Sequence, residues 1–123
     1  NHHMRDPYKV IVWGPGRMGS ISIWEIVNSP AFELVGVRAY SEAKNGLDAG
    51  TLIGIDPLGV IVSNDVEELL GIECDCVIYT AHDEGTYHTD EEILTILAAG
   101  KNIVTPLPYQ NVHQGRAGWL HLP

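Results

Sequence analysis

The sequence predicts an α/β domain in which helices cover both faces of a mainly parallel, doubly wound sheet of about five strands. Three observations lead to this prediction. Short apolar runs alternate with amphipathic segments along the 123 residues, the order expected when each strand is followed by a crossover helix. A glycine-rich turn joins the first apolar run to the first helix. The length suits one domain, since a domain has roughly 100 to 200 residues.

The first strand, turn and helix are the most distinctive part of the chain. Residues 9–13 read Lys-Val-Ile-Val-Trp, an apolar run without alternation that indicates a strand buried on both faces. The next segment, residues 20–28, carries Ile21, Trp24 and Val27 at three-residue spacing. This spacing predicts an apolar helix face that packs on the sheet.

The rest of the domain continues the alternation. Residues 41–59 are rich in Gly, Asp, Asn and Pro and predict a loop that includes a short helix over 47–53. Apolar runs predict the remaining four strands. These strands lie at residues 33–40, 60–62, 76–80 and 102–105.

Two later helices carry start and stop signals. Ser63 or Asn64 is predicted to cap a helix that ends near Gly71. The run Thr89-Asp90-Glu91-Glu92 is a capping box, with Thr at the cap and Glu three residues later. Gly100 is predicted to end that helix.

The ends of the chain do not read as part of the sheet. Residues 1–4 resemble the remnant of a histidine tag followed by an initiator Met. The predicted α/β domain covers residues 5–110. Residues 111–123 have no helical or strand period. We expect an irregular tail and a truncated chain. No apolar run reaches the ~20 residues of a membrane span and no signal segment begins the chain, so we expect a cytoplasmic protein.

Charge and cysteine content exclude several functions. Lys+Arg 7 against Asp+Glu 16 gives a formal net charge of −9, which argues against a general nucleic-acid binder. Cys74 and Cys76 are predicted to be reduced thiols on one side of a strand. No metal site is predicted, because neither these thiols nor the acids at 90–92 have partners at ligand spacing.

The glycine turn predicts a phosphate site and makes the fold Rossmann-type. Gly14 permits the tight turn, Gly16 lets the backbone approach a pyrophosphate, and Gly19 lets the helix pack close to the strand. Backbone amides of the first helical turn then face the anion from the positive end of the helix dipole. The predicted cofactor-binding residues here are Gly14, Pro15, Gly16, Arg17, Met18 and Gly19.

The end of the second strand bears on the choice of cofactor. An acid there would bind the ribose 2′-hydroxyl of NAD, but none is present. Ser41 can donate to a 2′-phosphate and Lys44 can neutralise it, with Arg38 as a third candidate. Glu42 is the counter-argument, since it could accept from a 2′-hydroxyl. We predict NADP(H), with NAD(H) as the alternative.

Three segments together resemble one family. They are the turn at 16–19, the segment Tyr-Ser-Glu-Ala-Lys-Asn-Gly-Leu-Asp-Ala-Gly at 40–50, and the run Ala-Ala-Gly-Lys-Asn-Ile-Val-Thr at 98–105. They resemble the dihydrodipicolinate reductase-like group, which includes 2,4-diaminopentanoate dehydrogenase and the native amine dehydrogenases. The resemblance covers about residues 10–108.

The resemblance implies the N-terminal NAD(P)-binding domain of an oxidoreductase. In that family a second domain, which we expect to be absent from residues 1–123, supplies most of the substrate pocket and the subunit interface, so we expect a homo-oligomer in the full-length form. It also implies phosphate contacts from the glycine turn, contacts of Ser41 and Lys44 with the adenosine ribose, and contacts of Thr80 and Ala81 on the nicotinamide side. The last two residues follow a predicted strand, where ligands of such sheets bind.

No catalytic residue is predicted. The glutamate that the amine dehydrogenase branch places after the fifth strand has no counterpart in Pro106-Leu107-Pro108-Tyr109-Gln110. His82 and His113 are interpreted as loop residues rather than proton relays.

These observations predict hydride transfer between NADPH (or NADH) and a small imine or carbonyl compound, in a longer protein. The chain alone is expected to bind cofactor without turnover. The alternative is a stand-alone NAD(H)-sensing regulatory module without catalysis.

Overall fold

The computed structural model of the chain describes residues 6–14, 16–81, 88–105 and 120–122. Strands and helices alternate along them, and none of the helices found there is long and apolar enough to cross a membrane. The elements are β1 (Tyr8–Trp13), α1 (Arg17–Val27), β2 (Phe32–Arg38), α2 (Ala49–Ile53), β3 (Val62–Ser63), α3 (Val66–Leu70), β4 (Cys76–Tyr79), α4 (His88–Ala98), β5 (Ile103–Thr105) and β6 (Leu120–Leu122).

The strands form one sheet in the order β3-β2-β1-β4-β5-β6. The pairs among β1 to β5 are parallel, and β6 pairs antiparallel with β5. The α/β, mainly parallel fold predicted from the sequence is confirmed. The chain builds β2 and β3 on one side of β1 and then returns to place β4 on the other. Ligands of open α/β sheets bind at this switch point, beyond the carboxyl ends of β1 and β4.

The central strand β1 contributes to two apolar cores, one on each face of the sheet. Val10 belongs to the cluster of Ile23 from α1, whereas Ile11 belongs to the cluster of Leu69 from α3 and Ile96 from α4. Each of these side chains is at most 1% exposed. Burial of one such side chain stabilises a fold by roughly 1.5 to 3 kcal/mol, so β1 is a rigid base for the turn that follows it.

The prediction of which residues form the buried face of α1 is wrong. Ile21, Trp24 and Val27 are predicted to pack on the sheet, but they are 47%, 54% and 36% exposed. The residues that face the sheet are Ile23 and Ile26, at 0% and 5% exposure.

The error has a physical reason in the small residues of the helix. The buried positions are Gly19, Ser22, Ile23 and Ile26, which have the i, i+3, i+4, i+7 spacing of one helix face. Two of the four are Gly and Ser, which do not register as apolar, so the three large exposed side chains dominate the pattern. Small residues occur there because α1 begins close against the strands.

The start of α3 also differs from the prediction. Asp65, and neither Ser63 nor Asn64, caps the helix, and its side chain accepts from the Glu68 amide at 3.2 Å. The Ser63 hydroxyl instead accepts from the Asp65 amide at 3.0 Å. Ser63 therefore lies two positions before the cap, and the helix ends at its C-cap Gly71, as predicted.

At α4 the predicted stop at Gly100 is confirmed, but the predicted cap at Thr89 is wrong. The helix begins at His88, so Thr89 lies inside it rather than at its cap. Gly100 has φ of +84°, and the amide of Lys101 donates to the Ile96 carbonyl at 3.3 Å. This is the glycine stop that the sequence predicts.

The segment predicted to be irregular contains a strand. Residues 120–122 form β6, in which Leu122 lies opposite Ile103 of β5. Three residues are too few to show a period in sequence.

The third strand is displaced, from the predicted residues 60–62 to β3 at Val62–Ser63.

The two cysteines are free, as predicted, but they do not share one side of a strand. Cys76 packs with the α1 core and Cys74 with the α3 and α4 core. The alternation rule fails because β4 begins only at Cys76. Burial raises the pKa of Cys76 to about 11 and also raises the pKa of Cys74.

Candidate functional site

The turn after β1 is held in a tight conformation by its first glycine. Gly14 has φ of +93°, a region that side chains with a Cβ rarely adopt. A Cβ there would lie 2.8 Å from the Cα of Ala81. The Gly14 amide donates to the carbonyl of Arg38, at the end of β2, at 2.8 Å. The turn is thus fixed between the ends of β2 and β4, and the positive φ of Gly14 agrees with its predicted role of permitting a tight turn.

The other two glycines differ in their surroundings. A Cβ on Gly19 would lie 2.3 Å from the Gly14 carbonyl oxygen, whereas a Cβ on Gly16 would meet nothing within 4 Å. Gly16 is exposed. Gly19 therefore allows close packing within the protein, and Gly16 leaves bare backbone open to solvent.

The N-terminus of α1 differs from those of the other helices whose caps are described. Asp48 caps α2 and Asp65 caps α3 with their side chains. The cap of α1 is Gly16, which has no side-chain hydrogen bond, and no acidic residue lies in the first turn. The first amides of a helix have no partner within it. Those of Arg17, Met18 and Gly19 belong to this uncapped first turn.

Thr80 lies beneath the turn. It is 2% exposed, and its hydroxyl lies 3.0 Å from the Trp13 carbonyl oxygen and within hydrogen-bond distance of that of Gly14. The Thr80 amide also donates to Trp13, at 2.9 Å. Thr80 thus supports the glycine turn from inside the protein. Its neighbour Ala81 is half-buried.

Ser41 and Lys44 lie on one turn after β2. The Lys44 amide donates to the Ser41 carbonyl at 3.3 Å. Ser41 is exposed and Lys44 half-buried. Glu42 accepts from the side-chain amide of Asn64 at 2.9 Å, through its Oε2. Glu42 lies on the same turn, and its carboxylate is bound to Asn64, which precedes α3.

Asp48 organises the loop that follows this turn. One carboxylate oxygen accepts from the amides of Leu58 at 2.8 Å, Gly50 at 2.7 Å and Thr51 at 3.3 Å, and the other accepts from Gly59 at 2.7 Å. These bonds, that of Leu58 first, hold the pKa of Asp48 below its usual value. The Asp48 side chain therefore fixes the path of the chain from β2 to β3.

A cleft of about 390 Å³ lies between the end of β2 and helices α3 and α4. The guanidinium carbon of Arg38 is 4.1 Å from the ring centroid of Tyr40 and 5.6 Å from that of Trp13. These residues line the cleft. Within the described residues, the indole N–H of Trp13 and the Nε of Arg38 are buried without a hydrogen-bond partner.

Glu92 of α4 joins three residues of this cleft region. Its Oε1 accepts from the hydroxyls of Tyr40 and Tyr79, each at 2.7 Å, and its Oε2 lies 3.4 Å from Nη2 of Arg38. Burial and then the hydrogen bond to Glu92 raise the pKa of Tyr40 well above its usual range, so the phenol stays protonated and donates. The capping box assigns Glu92 a local role at Thr89, but the carboxylate instead connects α4 to β2 and β4.

Several predicted residues fall outside the described part of the chain. Pro15 of the glycine turn is the predicted cofactor-binding residue among them, and His82, Tyr109 and His113, for which no catalytic role is predicted, lie there too. Among the described residues, no three His, Cys, Asp or Glu side chains come together as a metal site requires. Sequence reasoning misses Tyr79 and gives Glu92 another role, because their partners are distant in sequence.

The sheet order and the glycine turn define the Rossmann-type class of dinucleotide-binding α/β domains. Comparison with known families specifies it further. The family described as dihydrodipicolinate reductase, N-terminus, matches residues 8–105. The chain belongs to this family.

Individual relatives agree with this assignment. The chain is 35% identical over 103 residues to an amine dehydrogenase of Streptomyces virginiae, a match that covers 80% of this chain and 28% of the relative. It is 40% identical over 68 residues to a 4-hydroxy-tetrahydrodipicolinate reductase of Synechococcus elongatus, covering 54% and 25%. The solved amine dehydrogenase of Mycobacterium smegmatis superposes with a TM-score of 0.71 at 35% identity, over 85% of this chain and 31% of that one. The chain thus spans less than a third of each relative's length.

Proposed function

We propose that the chain binds NADP(H), with the diphosphate at Gly16 and the first turn of α1. The observation that carries the proposal is the helix start: bare backbone at Gly16, no side-chain cap and no acid in the first turn. A diphosphate there accepts hydrogen bonds from the free amides and faces the positive end of the helix dipole. This attraction is local, so the net charge of −9 does not oppose it, since screening limits distant charges to ~10 Å.

The 2′-phosphate of NADP(H) is proposed to lie at Ser41 and Lys44. Both are on one turn at the end of β2, the strand whose end meets the ribose in this class of fold. Glu42, the acid that would favour NAD(H), has one oxygen bound to Asn64. Charge-assisted hydrogen bonds to a phosphate contribute roughly 1.5 to 3 kcal/mol each, and Lys44 can supply one of them.

The nicotinamide is proposed to lie beyond β4, beside Ala81. Thr80 contributes there by supporting the turn, because its hydroxyl is committed to main-chain carbonyls. The hydride chemistry belongs to the cofactor, and the protein positions it. In the longer protein, we propose transfer of hydride between NADPH and a small imine or carbonyl compound. This part rests on the family and its named relatives, a dehydrogenase and a reductase.

Isothermal calorimetry with NADPH and NADH tests the proposal. Wild type is expected to bind NADPH more tightly. Gly16→Ala places a methyl group where the phosphate approaches, and it should weaken both cofactors at least about tenfold, the equivalent of one charge-assisted hydrogen bond. Gly71→Ala is the matched control, since Gly71 also has a negative φ and its added Cβ meets nothing closer than 3.5 Å.

Each result has a clear meaning. Tighter binding of NADH would overturn the choice of NADP(H) in favour of NAD(H). If neither cofactor binds at millimolar concentration, or if Gly16→Ala binds as Gly71→Ala does, the proposed site is wrong.

A further inference from the structure

Arg38 is the last residue of β2 and precedes Ser41 by three positions. An arginine here would be a natural second cation for a 2′-phosphate at Ser41 and Lys44, so its surroundings decide which cofactor it favours. This inference rests on the proposed function, because it concerns the same phosphate.

The described polar partners of Arg38 are two backbone carbonyls and the carboxylate of Glu92. Its Nη1 donates to the carbonyl of Ala39 and lies 3.5 Å from that of Asn64. Its Nη2 faces Glu92, and its guanidinium stacks over Tyr40. The Arg38 side chain is 12% exposed, so the cation is held within the cleft.

Glu92 is the charged group that holds it. The Glu92 side chain is 18% exposed, and its two tyrosine hydrogen bonds fix the carboxylate in place. A phosphomonoester carries about −1.5 to −2 charge and would compete with Glu92 for the guanidinium. We propose that Glu92 is a specificity-determining residue that withholds Arg38 from a 2′-phosphate, and so reduces the preference for NADP(H) over NAD(H).

Glu92→Gln separates the charge of this residue from its structural role. The glutamine carbonyl can still accept from the two tyrosines, whereas the negative charge that holds Arg38 is lost. We expect NADPH binding to tighten about fivefold, the size of one partly exposed charge interaction, while NADH binding changes by less than about twofold. The measurement is calorimetry of both cofactors on the full chain.

A double-mutant cycle with Arg38→Met attributes the gain to Arg38. In the Arg38→Met background, Glu92→Gln should leave the NADPH/NADH affinity ratio unchanged. Glu33→Gln gives the same change of net charge at the start of β2, at the opposite end of the strand, and should also leave the ratio unchanged.

The outcomes separate this inference from the proposed function. If wild type binds neither cofactor, the proposed site fails, and the inference that rests on it fails too. If wild type binds but Glu92→Gln leaves the ratio unchanged or lowers it, the inference alone is overturned. A gain that persists without Arg38, or that Glu33→Gln reproduces, overturns it as well. Arg38→Met alone gives an independent check, since a selective loss of NADPH affinity would show that Arg38 already binds the phosphate.

Discussion

Thr80→Val replaces the buried hydroxyl beneath the glycine turn with a methyl group of similar shape. The variant loses the single hydroxyl proton of Oγ1, which lies within hydrogen-bond distance of the carbonyls of Trp13 and Gly14. Each of these carbonyls keeps a backbone donor, because Trp13 still accepts from the Thr80 amide and Gly14 from the Gly16 amide, both at 2.9 Å. Neither acceptor is left without a partner, so we expect a loss of about 1 kcal/mol, the typical net contribution of one hydrogen bond.

Urea denaturation followed by circular dichroism measures this loss. With a slope of about 1 to 3 kcal/mol per molar urea, the midpoint should fall by roughly 0.3 to 1 M. Thr80→Ser is the control, since it keeps the hydroxyl and should retain the turn hydrogen bonds. The NADPH affinity of Thr80→Val should also fall, because the turn that presents Gly16 loses its support. If Thr80→Val and Thr80→Ser unfold at the wild-type midpoint, the hydroxyl does not support the turn.

Three further predictions concern packing and pH. Gly19→Ala should lower the melting temperature, since the added Cβ would lie 2.3 Å from a backbone oxygen. Gly16→Ala should leave the melting temperature unchanged. Equal melting curves for the two variants would contradict the roles assigned to the two glycines. In urea denaturation, Ile23→Ala should lower the free energy of unfolding by about 2 to 5 kcal/mol, and Trp24→Ala by less than about 0.5 kcal/mol. The reverse order would mean that Trp24, as the sequence predicts, lies on the buried face of α1. Asp48 has a lowered pKa in the folded state, so its contribution to stability is present above the unfolded pKa and is lost as the pH falls through the folded pKa. Asp48→Asn should therefore be less stable than wild type at pH 7, and the difference in unfolding free energy should shrink in acid. A constant difference from pH 7 to pH 3 would refute this.

The parts of the fold that sequence predicts best are those in which one local pattern has one explanation. The run at residues 9–13 has no polar side to expose, apart from Lys9 at its edge, so burial on both faces is the consistent arrangement. Gly100 stops a helix through backbone conformation alone, and its φ of +84° needs no tertiary contact to be foreseen. For the same reason, local pattern is enough to place the glycine turn between β1 and α1.

The errors arise where tertiary contacts override a local pattern. Gly19 and Ser22 are buried because they are small, and a hydrophobicity pattern does not register smallness. Glu92 fits a capping box by position, but its shortest described hydrogen bonds are with residues 13 and 52 positions away. A local rule cannot anticipate such contacts. The role of Asp48 is likewise visible in sequence only as part of a family motif, because two of its four amide donors are ten or more residues further on.

The position of Trp13 has a practical consequence. Its indole is 1% exposed, ends β1 immediately before the glycine turn, and lines the cleft beside Arg38. Reduced nicotinamide absorbs light at the wavelengths where tryptophan emits, so a cofactor at the switch point would quench this indole by energy transfer. Fluorescence therefore offers a label-free test of the proposed cofactor binding, with emission from all three tryptophans of the chain.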